Sequence, residues 1–189
     1  MSISTYVKSC TKTIAGNDFQ LYAASFTDID TATFTDGSLT AITLDGSKKF
    51  ALLETDWDSM TFEANGTAGR GFYSEQTLTA KFSQKTPTLD ATIDEIRDAI
   101  VCGVVLIRKD GMGQYWISGI APVEDMGANR PYLSFETNFT SGTTIEEIED
   151  GNVYNVTFGR LSATEEYPIS GSIVTDLNAG TASFVDYPA

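Results

Sequence analysis

No histidine occurs in this chain, and that absence constrains every reading of its chemistry. The commonest general base and the commonest metal ligand are both missing, so Ser-His-Asp and Cys-His arrangements cannot be built within it. Carboxylates remain: Asp28 with Asp30, Asp56 with Asp58, and the cluster of Glu146, Glu147, Glu149 and Asp150. Paired carboxylates serve glycoside hydrolysis, and hard oxygens suit calcium. With 26 acidic residues, however, close pairs are expected by chance. Neither Asp28-Ile29-Asp30 nor the Glu146 to Asp150 cluster has the central Gly and terminal Glu of a calcium loop. The acids therefore read as a solvated face, without catalysis, bound metal or cofactor.

Phosphate-binding motifs fare no better. Gly66 and Gly71 have P-loop spacing, but Phe72-Tyr73 stand where Lys and Ser or Thr are needed. Gly111-Met112-Gly113 lies between two apolar runs and reads as a hairpin turn. Cys10 and Cys102 form no C-x-x-C unit and are expected as reduced thiols, with Cys102 in the core. The sequons at Asn65, Asn138 and Asn155 read as strand and turn chemistry, because Met1-Ser2-Ile3-Ser4 opens with neither a basic region nor an apolar run. The expectation is a chain made and kept in a reducing cytoplasm, with no membrane span.

Composition narrows the class further. Acids outnumber Lys plus Arg by 26 to 12 in 189 residues, a formal charge of −14. Such a balance opposes gripping nucleic acid by its phosphates and favours repulsion of polyanions. A hydrophobic share of 41% allows a core, but a thin one, as between packed sheets.

Period-two alternation broken by Gly and Asp supplies the elements. Strands are expected at Phe19 to Phe26 and Leu39 to Leu44, then through a hairpin-type Asp45-Gly46 turn at Lys49 to Glu54. Met60 to Ala64 is read as ending at an Asn65-Gly66 turn, and Phe72 to Phe82 as an unusually long strand. Leu89, Ile93, Ile96 and Ile100 fall on one helical face, giving a helix near 89–101 with Thr92 and Glu95 as its capping box. Val104 to Lys109 and Gln114 to Gly119 form a buried strand and its return. Tyr132 to Phe139 and Val153 to Phe158 close the sheet around a polar 141–151 loop. Residues 1–160 thus form one mainly β domain, an antiparallel β-sandwich or barrel with one flanking helix. Residues 161–189 are expected as a surface arm, with Ile173-Val174 and Phe184-Val185 as docking points.

The stretch Ile93 to Gly119, with its helix, apolar Val104-Val105-Leu106-Ile107 strand, Asp110-Gly111 turn and Gln114-Tyr115-Trp116-Ile117 return, resembles the central part of tail tube proteins of tailed bacteriophages. Val153-Tyr154-Asn155-Val156-Thr157-Phe158-Gly159 is similar to their closing strand. The likeness covers about 80 residues; the first third of the chain matches in pattern only, and the tail beyond Leu161 is longer than the resemblance implies. It implies a virion structural protein whose partners are copies of itself, in stacked hexameric rings, together with other tail proteins. Genomic DNA would pass through the tube without specific binding. On this sequence the resemblance makes Gly66, Thr67, Ala68, Gly69, Arg70 and Gly71 the candidate inter-ring loop, while Glu146, Glu147, Glu149 and Asp150 are the candidate acidic face. An acidic lumen lets a phosphate backbone slide without sticking.

Two other classes stay open at this stage. One is a different virion component: a head decoration protein, connector ring or tail terminator. The other is a carbohydrate-binding sandwich in which Trp57, Tyr73, Tyr115, Trp116 and Tyr132 form an aromatic platform.

Overall fold

The computed structural model describes residues 3, 5, 20–55, 59–68, 72–83, 85–122, 131–140, 153–162 and 166–187. In chain order these form β1 (Gln20–Ser25), β2 (Ile29–Thr35), β3 (Ser38–Leu44), β4 (Phe50–Glu54), β5 (Thr61–Ala68) and β6 (Phe72–Ser83). There follow α1 (Pro87–Ala99), β7 (Val104–Lys109), β8 (Tyr115–Ser118), β9 (Ser134–Thr140), β10 (Val153–Ser162), β11 (Tyr167–Pro168), α2 (Ser172–Ala179) and β12 (Val185–Asp186).

The run Val104-Val105-Leu106-Ile107 is apolar on both faces because both faces are covered. With β1 and β4 it forms the middle of a six-stranded sheet, ordered β11-β8-β7-β1-β4-β12. Against one side pack α1 and a four-stranded antiparallel sheet, ordered β5-β6-β10-β9, through Leu21, Leu53, Leu106, Leu78, Phe158, Ile93 and Ile96. Against the other side pack the β2–β3 hairpin and α2, through Tyr22, Leu52, Ile107, Leu39, Ile42, Ile173 and Leu177. The mainly β sandwich with a flanking helix that the sequence predicts is present, with a third layer added to it.

Helix α1 begins earlier than its apolar stripe alone indicates. Thr86 is the N-cap, its Oγ1 accepting from the Leu89 N–H at 3.1 Å, and Pro87 opens the first turn with a pre-set φ. The expected capping box is corrected: Thr92 is buried mid-helix and its hydroxyl donates back to the Thr88 carbonyl at 3.0 Å. Past the helix, Gly103 turns the chain at φ +97, and a Cβ there would lie 2.5 Å from the Pro131 ring. Cys102 sits in this turn and is exposed, not in the core as expected, because it falls between the last buried turn of α1 and the start of β7.

Turn signals were only partly decisive. Asp36-Gly37, both at positive φ (51 and 75), closes the β2–β3 hairpin. Asp45-Gly46 closes no hairpin, since β3 pairs with β2 and β4 pairs with β1 across layers. Asn65-Gly66 is not a turn either: β5 runs through it, with Asn65 opposite Glu75 and Gly66 opposite Ser74. Eight consecutive cross-strand partners override a two-residue propensity.

The expected surface arm is also corrected. Residues 166–187 are woven into the fold: β11 pairs with β8, β12 runs parallel to β4, and Phe50 N–H donates to the Phe184 carbonyl at 2.7 Å. Ile173, Phe184 and Val185 are buried, as are Ile169 and Leu177. Tyr22 and Tyr115 hydroxyls both reach Gln20 (2.7 and 3.1 Å), and Tyr115 also reaches Asn178 of α2 (3.2 Å). Burial pushes the Tyr22 phenol far up, so it stays protonated.

Two variants test this description. Leu177→Ala should cost about 3 kcal/mol in denaturant unfolding, where a side chain on a loosely applied arm would cost a small fraction of that. Gly103→Ala should cost about 2 kcal/mol through the clash with Pro131 and the strained φ, read as a lowered denaturation midpoint.

Candidate functional site

Strict alternation in the four-stranded sheet sends one set of side chains inward and the other outward. Along β10, Val156, Phe158, Arg160 and Ser162 are buried, whereas Asn155, Thr157, Gly159 and Leu161 face away from the core. Their cross-strand partners follow suit: Leu78, Ala80 and Gln76 point in, and Glu75, Thr77, Thr79 and Lys81 point out. Thr61, Glu63 and Asn65 of β5 and Ser134, Glu136 and Asn138 of β9 complete the outer face. That face is rich in hydroxyls and amides, with Glu63, Glu75 and Glu136 set against the single cation Lys81 among the described residues. Thr79 and Thr157 hydroxyls lie 3.3 Å apart across the strands. Around Gly159 an open depression of about 600 Å³ is lined by Glu75, Thr77, Leu133, Ser134, Glu136 and Leu161.

The edges of the two large sheets differ sharply. The six-stranded sheet ends in β11 and β12, each of two residues, which blunts both edges. The four-stranded sheet ends in β5 with eight residues and β9 with seven. Three antiparallel steps separate β5 from β9, so the two edges themselves run in opposite directions.

Polar groups inside the sandwich hold these strands in place. Arg160, 6% exposed, donates from Nε to Gln76 Oε1 at 2.7 Å, and its guanidinium lies 5.2 Å from the Tyr132 ring. Burial pushes the Arg160 guanidinium down and the Tyr132 phenol up, leaving a cation beside a neutral ring. Tyr132 and Ser118 hydroxyls are 3.1 Å apart. Arg108 Nε reaches both oxygens of Glu166 (2.9 and 3.0 Å), while its guanidinium lies 5.0 Å from the Phe62 ring of edge strand β5. At the opposite edge, Tyr154 donates to Asp90 at 2.6 Å, and Lys85 pairs with Asp90 at 3.6 Å over the Phe139 ring. Sequence reasoning missed Arg160 and Glu166; Arg160 carried a signal, being a cation in phase with the buried Val156 and Phe158.

The residues singled out from sequence are not gathered into one site. Gly66, Thr67 and Ala68 lie in strand β5, so that half of the expected inter-ring loop is sheet. Gly69, Arg70 and Gly71 lie outside the described residues, as do Glu146, Glu147, Glu149, Asp150, Asp56, Trp57, Asp58 and Cys10. Asp28 is buried with Lys48 Nζ at 4.0 Å, whereas Asp30 accepts from Thr43 at 3.4 Å on the hairpin. Among the described residues no three His, Cys, Asp or Glu are placed to hold a metal ion, and no helix is long and apolar enough to cross a membrane. Of the aromatic platform, Tyr115 and Tyr132 are core residues. Trp116 is half-buried and donates to Asp110 at 2.8 Å. Gly111-Met112-Gly113 forms the β7–β8 turn as expected.

Replacing Arg160 with Met should cost about 2 kcal/mol because Gln76 loses a partner in the interior. Adding Gln76→Leu to that variant should recover most of the loss, measured by chemical denaturation as a double-mutant cycle.

Compared with known protein families, with curated proteins and with solved structures, the chain finds no match.

Proposed function

We propose that this chain is a structural subunit that polymerises with its own copies into rings and a tube, as in the tail of a tailed bacteriophage, and that the tube conducts DNA. The observation that carries this reading is the pair of long edges, with no further strand on either among the described residues, on a sheet whose outer face is polar and acidic. An even number of strands matters here. Because β5 and β9 run in opposite directions, β9 of one copy meets β5 of the next antiparallel under simple rotation. Repetition then closes a barrel and removes both edges of this sheet.

Edge pairing and apolar burial are the terms set against repulsion. Pairing along a seven-residue edge contributes on the order of 5 kcal/mol from hydrogen bonds at ~1 kcal/mol each, before apolar burial is counted. Opposing it is the formal charge of −14 on every copy. At ~0.15 M salt, charges further apart than ~8 Å are largely screened, so only the nearest acids resist. Glu63, Glu75 and Glu136 then line the passage, and a phosphate backbone meets like charge in place of a basic grip. No enzymatic step enters this reading, and the virion would be where the protein resides.

A carbohydrate-binding reading has less to draw on, since two of its five aromatics, Tyr115 and Tyr132, have no exposed ring to offer a sugar. Other ring-forming virion components would use the same edges, and microscopy separates them from a tube.

Purified protein is expected to give rings or stacked tubes in negative-stain images. Raising salt from ~0.05 to ~0.3 M should shift the balance toward assembly by about tenfold in concentration. A monodisperse species that stays monomeric at high concentration and high salt would overturn the reading.

A further inference from the structure

Strand β7 crosses the four-stranded sheet from one edge to the other. At its start Val104 and Tyr132 exchange backbone hydrogen bonds (3.0 and 2.9 Å), close to the β9 side. Near its end Arg108 lies over Phe62 of β5. The β7–β8 turn therefore leaves the molecule on the β5 side, whereas the turn between α1 and β7 lies on the β9 side.

Each of these two places carries apolar surface that the fold does not use. Met112 stands 95% exposed at the tip of the β7–β8 turn. The turn beneath it is braced: Asp110 Oδ1 accepts from the Met112 and Gln114 N–H groups at 2.9 Å, and its Oδ2 accepts from Trp116. On the opposite side Val101 is 81% exposed and Leu133 62% exposed, and Pro131 and Leu133 close on the intervening Gly103. A fixed apolar knob and an apolar patch on opposite flanks make a heterologous contact, the kind that propagates around a ring.

Charge agrees with the match. Lys109, beside the knob, rests over the Tyr115 ring and has no carboxylate partner among the described residues. Asp98 lies exposed in the last turn of α1, where the helix dipole disfavours an anion, and it has no cationic partner among the described residues. A cation brought to that position relieves the unfavourable placement.

We propose that the β7–β8 turn of one copy docks on the Val101–Leu133 patch of a second copy of this chain, with Met112 between those two side chains and Lys109 facing Asp98. This rests on the reading of the chain as a ring-forming subunit and specifies which surfaces lock neighbours beside the β9–β5 seam, with Leu133 at the rim of the depression that also holds Glu75 and Glu136.

Native Cys102 sits in the receiving patch and reports on it. In a Cys10→Ser background, Met112→Cys should be joined to the neighbour's Cys102 by a short bismaleimide, giving a covalent ladder from assembled protein. Adding Cys102→Ser should abolish that ladder. Met112→Asp should raise the concentration needed for assembly at least tenfold while leaving the melting temperature unchanged. Assemblies that form with no Cys102-dependent ladder, or that form equally well with Met112→Asp, overturn the docking and leave edge pairing standing. A protein that stays monomeric under all conditions overturns both.

Discussion

Burial of β7 and β1 on both faces is the constraint from which the other features follow. Leu106 and Leu21 face the four-stranded sheet and α1, while Ile107 and Tyr22 face α2 and the β2–β3 hairpin. A central sheet with two apolar faces needs two covering layers. Residues 166–187 supply part of the second one, and in doing so they place β11 and β12 at the ends of the central sheet. Short strands finish those edges, so the central sheet has little left to offer a partner.

The four-stranded sheet is in the opposite position. Its inner face is spent on the core, its outer face is polar, and its edges are long. Two cations act on this sheet from its inner side, Arg160 buried and Arg108 half-buried. Arg160 is fixed by Gln76 and Tyr132, and Arg108 is held by Glu166 over Phe62, so charged groups add fixed contacts to strands whose register the buried face already sets. At the β9 side, the contacts among Lys85, Asp90, Tyr154 and Phe139 tie the start of α1 to the closing strand. If copies pair along these edges as proposed, strands already held in a sheet lose less conformational freedom on pairing than a free segment would.

Much of this was legible in the chain. The alternation of Phe72 to Phe82 and of Val153 to Phe158 gives β6 and β10 and their faces, and the Leu89, Ile93, Ile96 spacing gives α1. Turn chemistry was less informative, because a two-residue signal says nothing about which strands flank it. Asp36-Gly37, between Phe34 and Leu39, makes the hairpin, whereas Asn65-Gly66 is absorbed into paired strands. Ile173 and Leu177 stand four apart ahead of Gly180, a signature of α2 that was readable but weak in so short a helix. The candidate site was harder to find. That β5 and β9 are edges is a property of strand order, and the Arg108–Glu166 contact joins residues 58 apart in sequence; neither is carried by local pattern.

Amide hydrogen exchange, compared between dispersed and assembled protein, addresses the central claim directly. If copies complete each other's sheets, outward-facing N–H groups of β5 and β9 exchange fast when dispersed and become protected on assembly, while those of β6 and β10 are slow in both. Assembled protein in which β5 and β9 continue to exchange as fast as in the dispersed chain would contradict the account.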